Sequence, residues 1–168
     1  MSWKIPPKIK IYEALGAIAD KRVKIYKTKP AKVKSSSLDK EYEVLYLPEE
    51  DILYSNDNGS YWQGYLGYPA VAFLMIKGEL PYNEKFAKAL KGMKWKEMNE
   101  KHRNDYDKVV KEVREIIREK DINLDRLDEF LEKVSKKISA LDYKKPQEKK
   151  KPPKTIYKPK VYKDKRKR

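Results

Sequence analysis

Apolar positions along the chain follow two periods, one after the other. Between residues 8 and 19, Ile11, Leu15 and Ile18 recur at helical spacing, and Tyr12 and Ala19 widen the stripe. Pro6-Pro7 stands just ahead, where the first turn of a helix accepts proline. From about residue 22 to 47 the period falls to two. Val23 and Ile25 alternate with Arg22, Lys24 and Lys27; Val33 sits between Lys32 and Lys34; Tyr42, Val44 and Tyr46 alternate with Glu41, Glu43 and Leu45. Alternation with β-branched and aromatic residues predicts strands, and Lys29-Pro30, Ser35-Ser36-Ser37 and Pro48-Glu49-Glu50-Asp51 punctuate them. Ile52-Leu53-Tyr54 adds a short strand before Asn56-Asp57-Asn58-Gly59, a turn signal because Asn-Gly tolerates φ > 0.

The second half returns to helical spacing. Pro69 opens the most apolar stretch, Ala70 to Ile76, a central buried helix closed by Gly78. Pro81 and Asn83 open another, with Phe86, Ala87 and Leu90 on one face and Gly92 at its end. Residues 94–119 read as one longer helix through Trp95, Met98, Tyr106, Val109, Val113 and Ile117. Asn123 N-caps the last, whose seam of Leu124, Leu127, Leu131, Val134, Ile138 and Leu141 is too short for a free coiled coil. The pair is expected to form an antiparallel helical hairpin docked on the core, with dimerisation through the seam as the alternative. The expected fold class is α+β: a small antiparallel sheet, a short N-terminal helix, a central buried helix, a C-terminal helical hairpin and a basic extended tail. The expected organisation is a core over 1–92, the hairpin over 93–143 and the tail over 144–168.

Charge changes this picture from a fold to a class of partner. The 168 residues carry a formal charge of +15. Residues 1–35 contribute +8 and residues 144–168 contribute +11, while the segment between is slightly acidic at −4. Lys4, Lys8, Lys10, Arg22, Lys24, Lys27, Lys32 and Lys34 form the N-terminal basic set. The tail supplies Lys144, Lys145, Lys149, Lys150, Lys151, Lys154, Lys158, Lys160, Lys163, Lys165, Arg166, Lys167 and Arg168, with Tyr157 and Tyr162 interleaved. Pro146, Pro152, Pro153 and Pro159 favour extended backbone there, and so little apolar surface predicts disorder in isolation. A solubility tail or a localisation signal would look similar. A phosphate-binding arm fits better, because one-signed charge alternates with rings that can stack on unpaired bases.

Candidate chemistry is sparse. No Cys and a single His exclude disulfides, thiol nucleophiles and Cys/His zinc sites. No apolar run spans a bilayer and no leader-like segment follows Met1, so a cytoplasmic protein without a membrane partner is expected. Two Gln beside abundant Lys, Glu, Ile and Tyr suit a thermophilic source. No Walker A or dinucleotide fingerprint occurs, so no cofactor is expected. Gly64-Tyr-Leu-Gly67 has the spacing of a KH loop but no basic residue between its glycines. His102 and the carboxylates lie among Lys and Arg at ion-pairing distances along helices, which is not the pattern of an enzyme. The segment Tyr61-Trp62-Gln63-Gly64-Tyr65-Leu66-Gly67-Tyr68-Pro69 allows two readings: rings capping the sheet, or a stacking surface for bases.

Two short strands, a Gly/aromatic loop and a small-residue helix over residues 54–75 resemble the ββα layout of SWIM-type zinc domains, which bind nucleic acid or protein. The ligand positions of that family fall on Tyr54-Ser-Asn56 and Gly67-Tyr-Pro69, so the resemblance implies a zinc-less relative and no metal. A compact body with long Lys/Arg/Tyr/Pro extensions also resembles ribosomal proteins, whose extensions thread between RNA helices. The expected function is therefore an RNA-binding structural protein, part of the ribosome or another large ribonucleoprotein, with rRNA and neighbouring ribosomal proteins as partners. A DNA-binding chromatin or transcription protein is the second reading. It lacks a base-reading helix, since Arg103, Arg114 and Arg118 are interspersed with Glu. A protein-interaction module using the helical pair is the third.

Overall fold

The computed structural model describes residues 3–154. Helix α1 (Lys8–Ala19) is the hub: its Ile9, Ile11, Leu15 and Ala17 are buried, and it touches four other helices. Four antiparallel strands follow in meander order, β1 (Val23–Lys24), β2 (Ala31–Lys34), β3 (Glu41–Leu47) and β4 (Ile52–Ser55). Register pairs Val33 with Tyr42, Lys32 with Glu43, and Leu45 with Tyr54. Alternation then turns Ala31, Val33, Tyr42, Val44 and Leu53 inward, and Lys32, Lys34, Glu41, Glu43, Leu45 and Tyr54 to the opposite face. Helix α2 (Tyr68–Ile76) is buried on nearly all sides between α1 and the inner face of the sheet, as its unbroken apolar run requires. Gly78 leaves it at φ +80°.

Helix α3 (Glu84–Ala89) starts where Asn83 Oδ1 accepts the Phe86 N–H at 3.0 Å. The expected single helix over 94–119 is two: α4 (Trp95–Lys101) and α5 (Tyr106–Arg118). Arg103 and Asn104 take left-handed φ values of 52° and 61°, and the Asp105 carboxylate caps the new helix at the Lys108 N–H, 3.3 Å away. Such a cap is worth about 1 kcal/mol. His102 closes α4 and meets Glu112 Oε2 at 2.6 Å, tying the two helices together across the break. Helix α6 (Leu124–Ser139) begins at Asn123, whose side chain accepts from Asp125 and Arg126 N–H groups.

Both α5 and α6 lie against α1. Leu127, Leu131, Val134 and Ile138 are buried within the chain, so the α6 seam is consumed here and is not a free dimerisation face. Arg114 ties three helices: its guanidinium forks onto Asp128 at 2.5 and 3.1 Å and reaches the Tyr12 hydroxyl at 3.3 Å. One hydrophobic cluster runs from Trp3 to Ile138 and takes residues from both sides of residue 92.

A buried carboxylate knots the passage from β4 to α2. Asp57 Oδ1 accepts the Ser55 and Ser60 hydroxyls at 2.5 and 2.7 Å, and Oδ2 accepts the Ser60 N–H at 3.1 Å. Ser60 Oγ in turn accepts the Gly67 N–H at 3.1 Å, at the start of α2. Burial raises the Asp57 carboxyl above its ordinary pKa, and the serine hydrogen bonds oppose that. Residues 59–63 wind into a π-helical turn, so Asn58-Gly59 does not form the expected φ > 0 turn. Gly59 is needed for space instead, since a Cβ there would meet the Tyr65 ring at 2.3 Å. At Gly67 a Cβ would fall 1.8 Å from Asp57 Oδ2. Gly67→Ala should therefore cost about 3 kcal/mol of stability, read as a lowered urea midpoint, because the carboxylate cannot move without abandoning its serines.

Candidate nucleic-acid interface

Strand β4 is the last of the sheet, so its outer N–H and C=O groups need partners. Both chain ends supply them. The Leu53 N–H donates to the Lys144 carbonyl at 3.2 Å, and the Lys144 N–H donates to the Asp51 carbonyl at 2.7 Å. The Leu53 carbonyl accepts Trp3 Nε1–H at 3.0 Å. Trp3 stacks on Tyr54 with centroids 6.0 Å apart. Lys4 pairs its backbone with the 64–66 segment through Lys4 N–H to Gly64 O and Leu66 N–H to Lys4 O.

Beyond Lys144 the chain crosses the outer face of the sheet. The Tyr54 hydroxyl donates to the Lys150 carbonyl at 2.7 Å, and Asn56 Nδ2 donates to the Lys151 carbonyl at 3.2 Å. Lys150 Nζ pairs with Glu43 Oε2 at 2.5 Å, while Lys32 Nζ holds the other oxygen at 2.5 Å. The tail as far as Lys151 thus has hydrogen-bond and ion-pair partners on the body. Tyr54 and Asn56 serve as tail clamps. Upstream, Tyr46 and Tyr143 both hydrogen-bond Glu79, which fixes the chain where it leaves the helical pair.

Lys4, Lys145 and Lys149 meet beside these clamps. Lys145 sits over the Trp3 ring at 4.8 Å and Lys149 over the Tyr61 ring at 5.2 Å. The Lys145 ammonium is pushed below its ordinary pKa by desolvation first, then by Lys149 and Lys4. Among the described residues none of the three has an acidic partner. Next to them the π-helical turn projects Trp62, 68% exposed and edge-on to Tyr61 at 4.6 Å. The four aromatics of this segment divide accordingly: Tyr68 is buried, Tyr61 and Tyr65 are half-buried, and Trp62 faces solvent.

The N-terminal basic set is less available than its charge suggests. Lys10 turns inward to Glu13, and Arg22 is buried, donating to the Lys34 carbonyl at 2.7 Å beside Asp20. Lys8 pairs with Glu132, and Lys32 with Glu43. Lys4, Lys24, Lys27 and Lys34 remain exposed and unpaired among the described residues. Lys24 and Lys34 share the outer sheet face with the tail. Lys144, Lys151 and Lys154 are exposed too. Tyr157, Lys158, Lys160, Tyr162, Lys163, Lys165, Arg166, Lys167 and Arg168 lie outside the described residues. Trp62 and Trp3 escaped the charge-based reading; the aromatic density of residues 61–68 was the one signal for Trp62, and nothing local marks Trp3. Among the described residues no helix is long and apolar enough to cross a membrane.

Two cations hold the Glu43 carboxyl below its ordinary pKa, Lys150 first and Lys32 second. Because the folded value is depressed, this attachment is present above the free glutamate value of about 4.3 and is lost as pH falls through the folded value. The Asn56 side-chain amide signals should therefore shift on acidification below about pH 4. Glu43→Gln should already show the released pattern at neutral pH and speed tryptic cleavage after Lys149 and Lys150.

A family model described as uncharacterised conserved protein UCP014422 matches residues 3–144, and the chain belongs to that family. No curated protein and no solved structure matches it.

Proposed function

We propose that this member of the UCP014422 family is an RNA-binding structural protein, anchored in the ribosome or another large ribonucleoprotein of the cytoplasm. The observation that carries the reading is the meeting of both cationic ends at the β4 edge, beside an exposed tryptophan. Lys4, Lys145 and Lys149 supply positive charge that no carboxylate of the described residues neutralises. Phosphates that approach them release condensed counterions, which drives binding without reading sequence. Trp62 offers a face on which an unpaired base stacks. A duplex keeps its bases stacked inside, so this combination favours single-stranded or looped RNA over double-stranded DNA. The sequence beyond Lys151 carries further Lys and Arg and acts as an arm into the RNA.

Fluorescence anisotropy with a labelled RNA hairpin, a single strand and a DNA duplex tests this at several salt concentrations. Affinity should fall steeply with salt, with RNA preferred. Removing residues 144–168 should abolish most of the binding, although it also uncovers the β4 edge. Lys145→Ala with Lys149→Ala keeps the tail and should flatten the log–log salt slope by about one per lysine. Trp62→Ala should weaken binding by about 1–3 kcal/mol and leave the slope unchanged. Salt-independent binding, or equal preference for the DNA duplex, would count against the proposal.

A further inference from the structure

Trp62 has a second neighbour. It also lines an open cleft of about 520 Å³. That is within the range of small-molecule sites, roughly 300–1,000 Å³. Tyr65 and Tyr106 line the cleft, and the Lys10–Glu13 ion pair, 3.3 Å between Nζ and Oε1, lies within it. Lys10 Nζ also lies 5.0 Å from the centre of the Tyr106 ring.

The polar groups there are incompletely used. Glu13 is only 5% exposed, yet among the described residues its carboxylate accepts one hydrogen bond, at Oε1, and none at Oε2. Lys10 has three N–H donors and spends one, on Glu13. Asn99, also on the lining, has a buried Oδ1 with no partner. Of these atoms Asn99 Oδ1 is the one cut off from solvent, and such atoms are normally satisfied, by protein or by something bound. The two residues on α1 are on one helical face because they are three apart. A hydrophobic residue at either place would pack as well, so the sequence keeps a charged pair there at a desolvation cost.

We propose that this cleft takes one unstacked guanine from the RNA strand bound at the interface, its Watson–Crick edge read by Glu13 and Lys10 and its faces by the surrounding rings. The proposal rests on the RNA reading above and names what that surface selects. Guanine presents an acceptor, O6, followed by two donors, N1–H and N2–H₂. A lysine beside a carboxylate offers the complement in the same order. Adenine and cytosine place an acceptor where the carboxylate needs a donor, and uracil has one N–H flanked by two carbonyls. On the lining four carboxylates, Glu13, Asp39, Asp57 and Glu100, outnumber Lys10, Lys40 and Lys96, so the base enters and its phosphates stay by Lys145 and Lys149. Trp62 lies between the two sites and can stack on the neighbouring base.

The full chain is titrated with uridine decamers that carry one central guanine, adenine or inosine. Guanine should bind tighter than adenine by about tenfold, and inosine, which lacks the N2 amine, should lose most of that gain. Glu13→Gln should erase the difference between the guanine and adenine oligomers. The inosine comparison needs no altered protein, so it stands even where Glu13→Gln fails to fold. Equal affinity for the three oligomers would overturn the guanine site, while salt-dependent binding of all three would leave the interface reading intact. Absence of binding by every oligomer would instead sink the interface reading. Free GMP against AMP, followed on the Tyr65 and Tyr106 ring signals, then decides the cleft alone: a GMP preference keeps it, and none removes it.

Discussion

A sheet edge cannot be left bare, and most of what is distinctive here follows from how β4 meets that demand. The strand has one neighbouring strand, β3, on one side and none on the other. An open row of N–H and C=O groups invites pairing with other chains. This chain closes the row with its own ends: an indole N–H from Trp3 and a backbone bridge from Lys144. The consequence is electrostatic. Lys4 is brought beside Lys145 and Lys149, although some 140 residues separate Lys4 from Lys145 in the chain. Their mutual repulsion is tolerated because backbone hydrogen bonds and ring faces hold them.

The second constraint is the Asp57 knot. It fixes the start of α2 to the end of β4 and sets the π-helical turn between them. Removing a carboxylate from water is costly, so three donors have to surround it. Gly67 lets it sit against the helix start, and Gly59 lets Tyr65 pack under the turn. With both in place, Trp62 is held outward on a short and well-braced loop. Binding groups on rigid elements lose less entropy when they engage a ligand.

Much of the architecture was legible in the sequence for simple reasons. Period-two alternation located β2 and β3, because one face of the sheet is apolar and the other charged there; β4 was marked by the short apolar run Ile52-Leu53-Tyr54. The unbroken run from Ala70 to Ile76 marked a helix buried on most sides. Asn83 and Asn123 stand as caps at the positions the pattern suggested. The break between α4 and α5 was missed because Met98, Tyr106 and Val109 continue a helical rhythm across it. The signal lay in Arg103-Asn104-Asp105, where Asn accepts left-handed backbone and Asp caps. The site was less legible than the fold. Net charge treats every lysine alike, but Lys10 and Arg22 are drawn inside beside Glu13 and Asp20, sequence neighbours whose burial only the fold reveals. The placement of Trp3 depends on a contact fifty residues away, which no local pattern encodes.

Glu43 gives the tail an unusual resting condition. Lys32 and Lys150 grip its two oxygens, so one carboxylate stands in for an anionic guest while none is present. A phosphate arriving at Lys150 exchanges one oxyanion for another and need not strip an ammonium of its water. Such an exchange lowers gross affinity, yet it leaves the lysine extended and aimed beforehand. Under the proposed RNA reading, Glu43 is the strike plate whose place a phosphate takes, while Tyr54 and Asn56 keep the backbone in position.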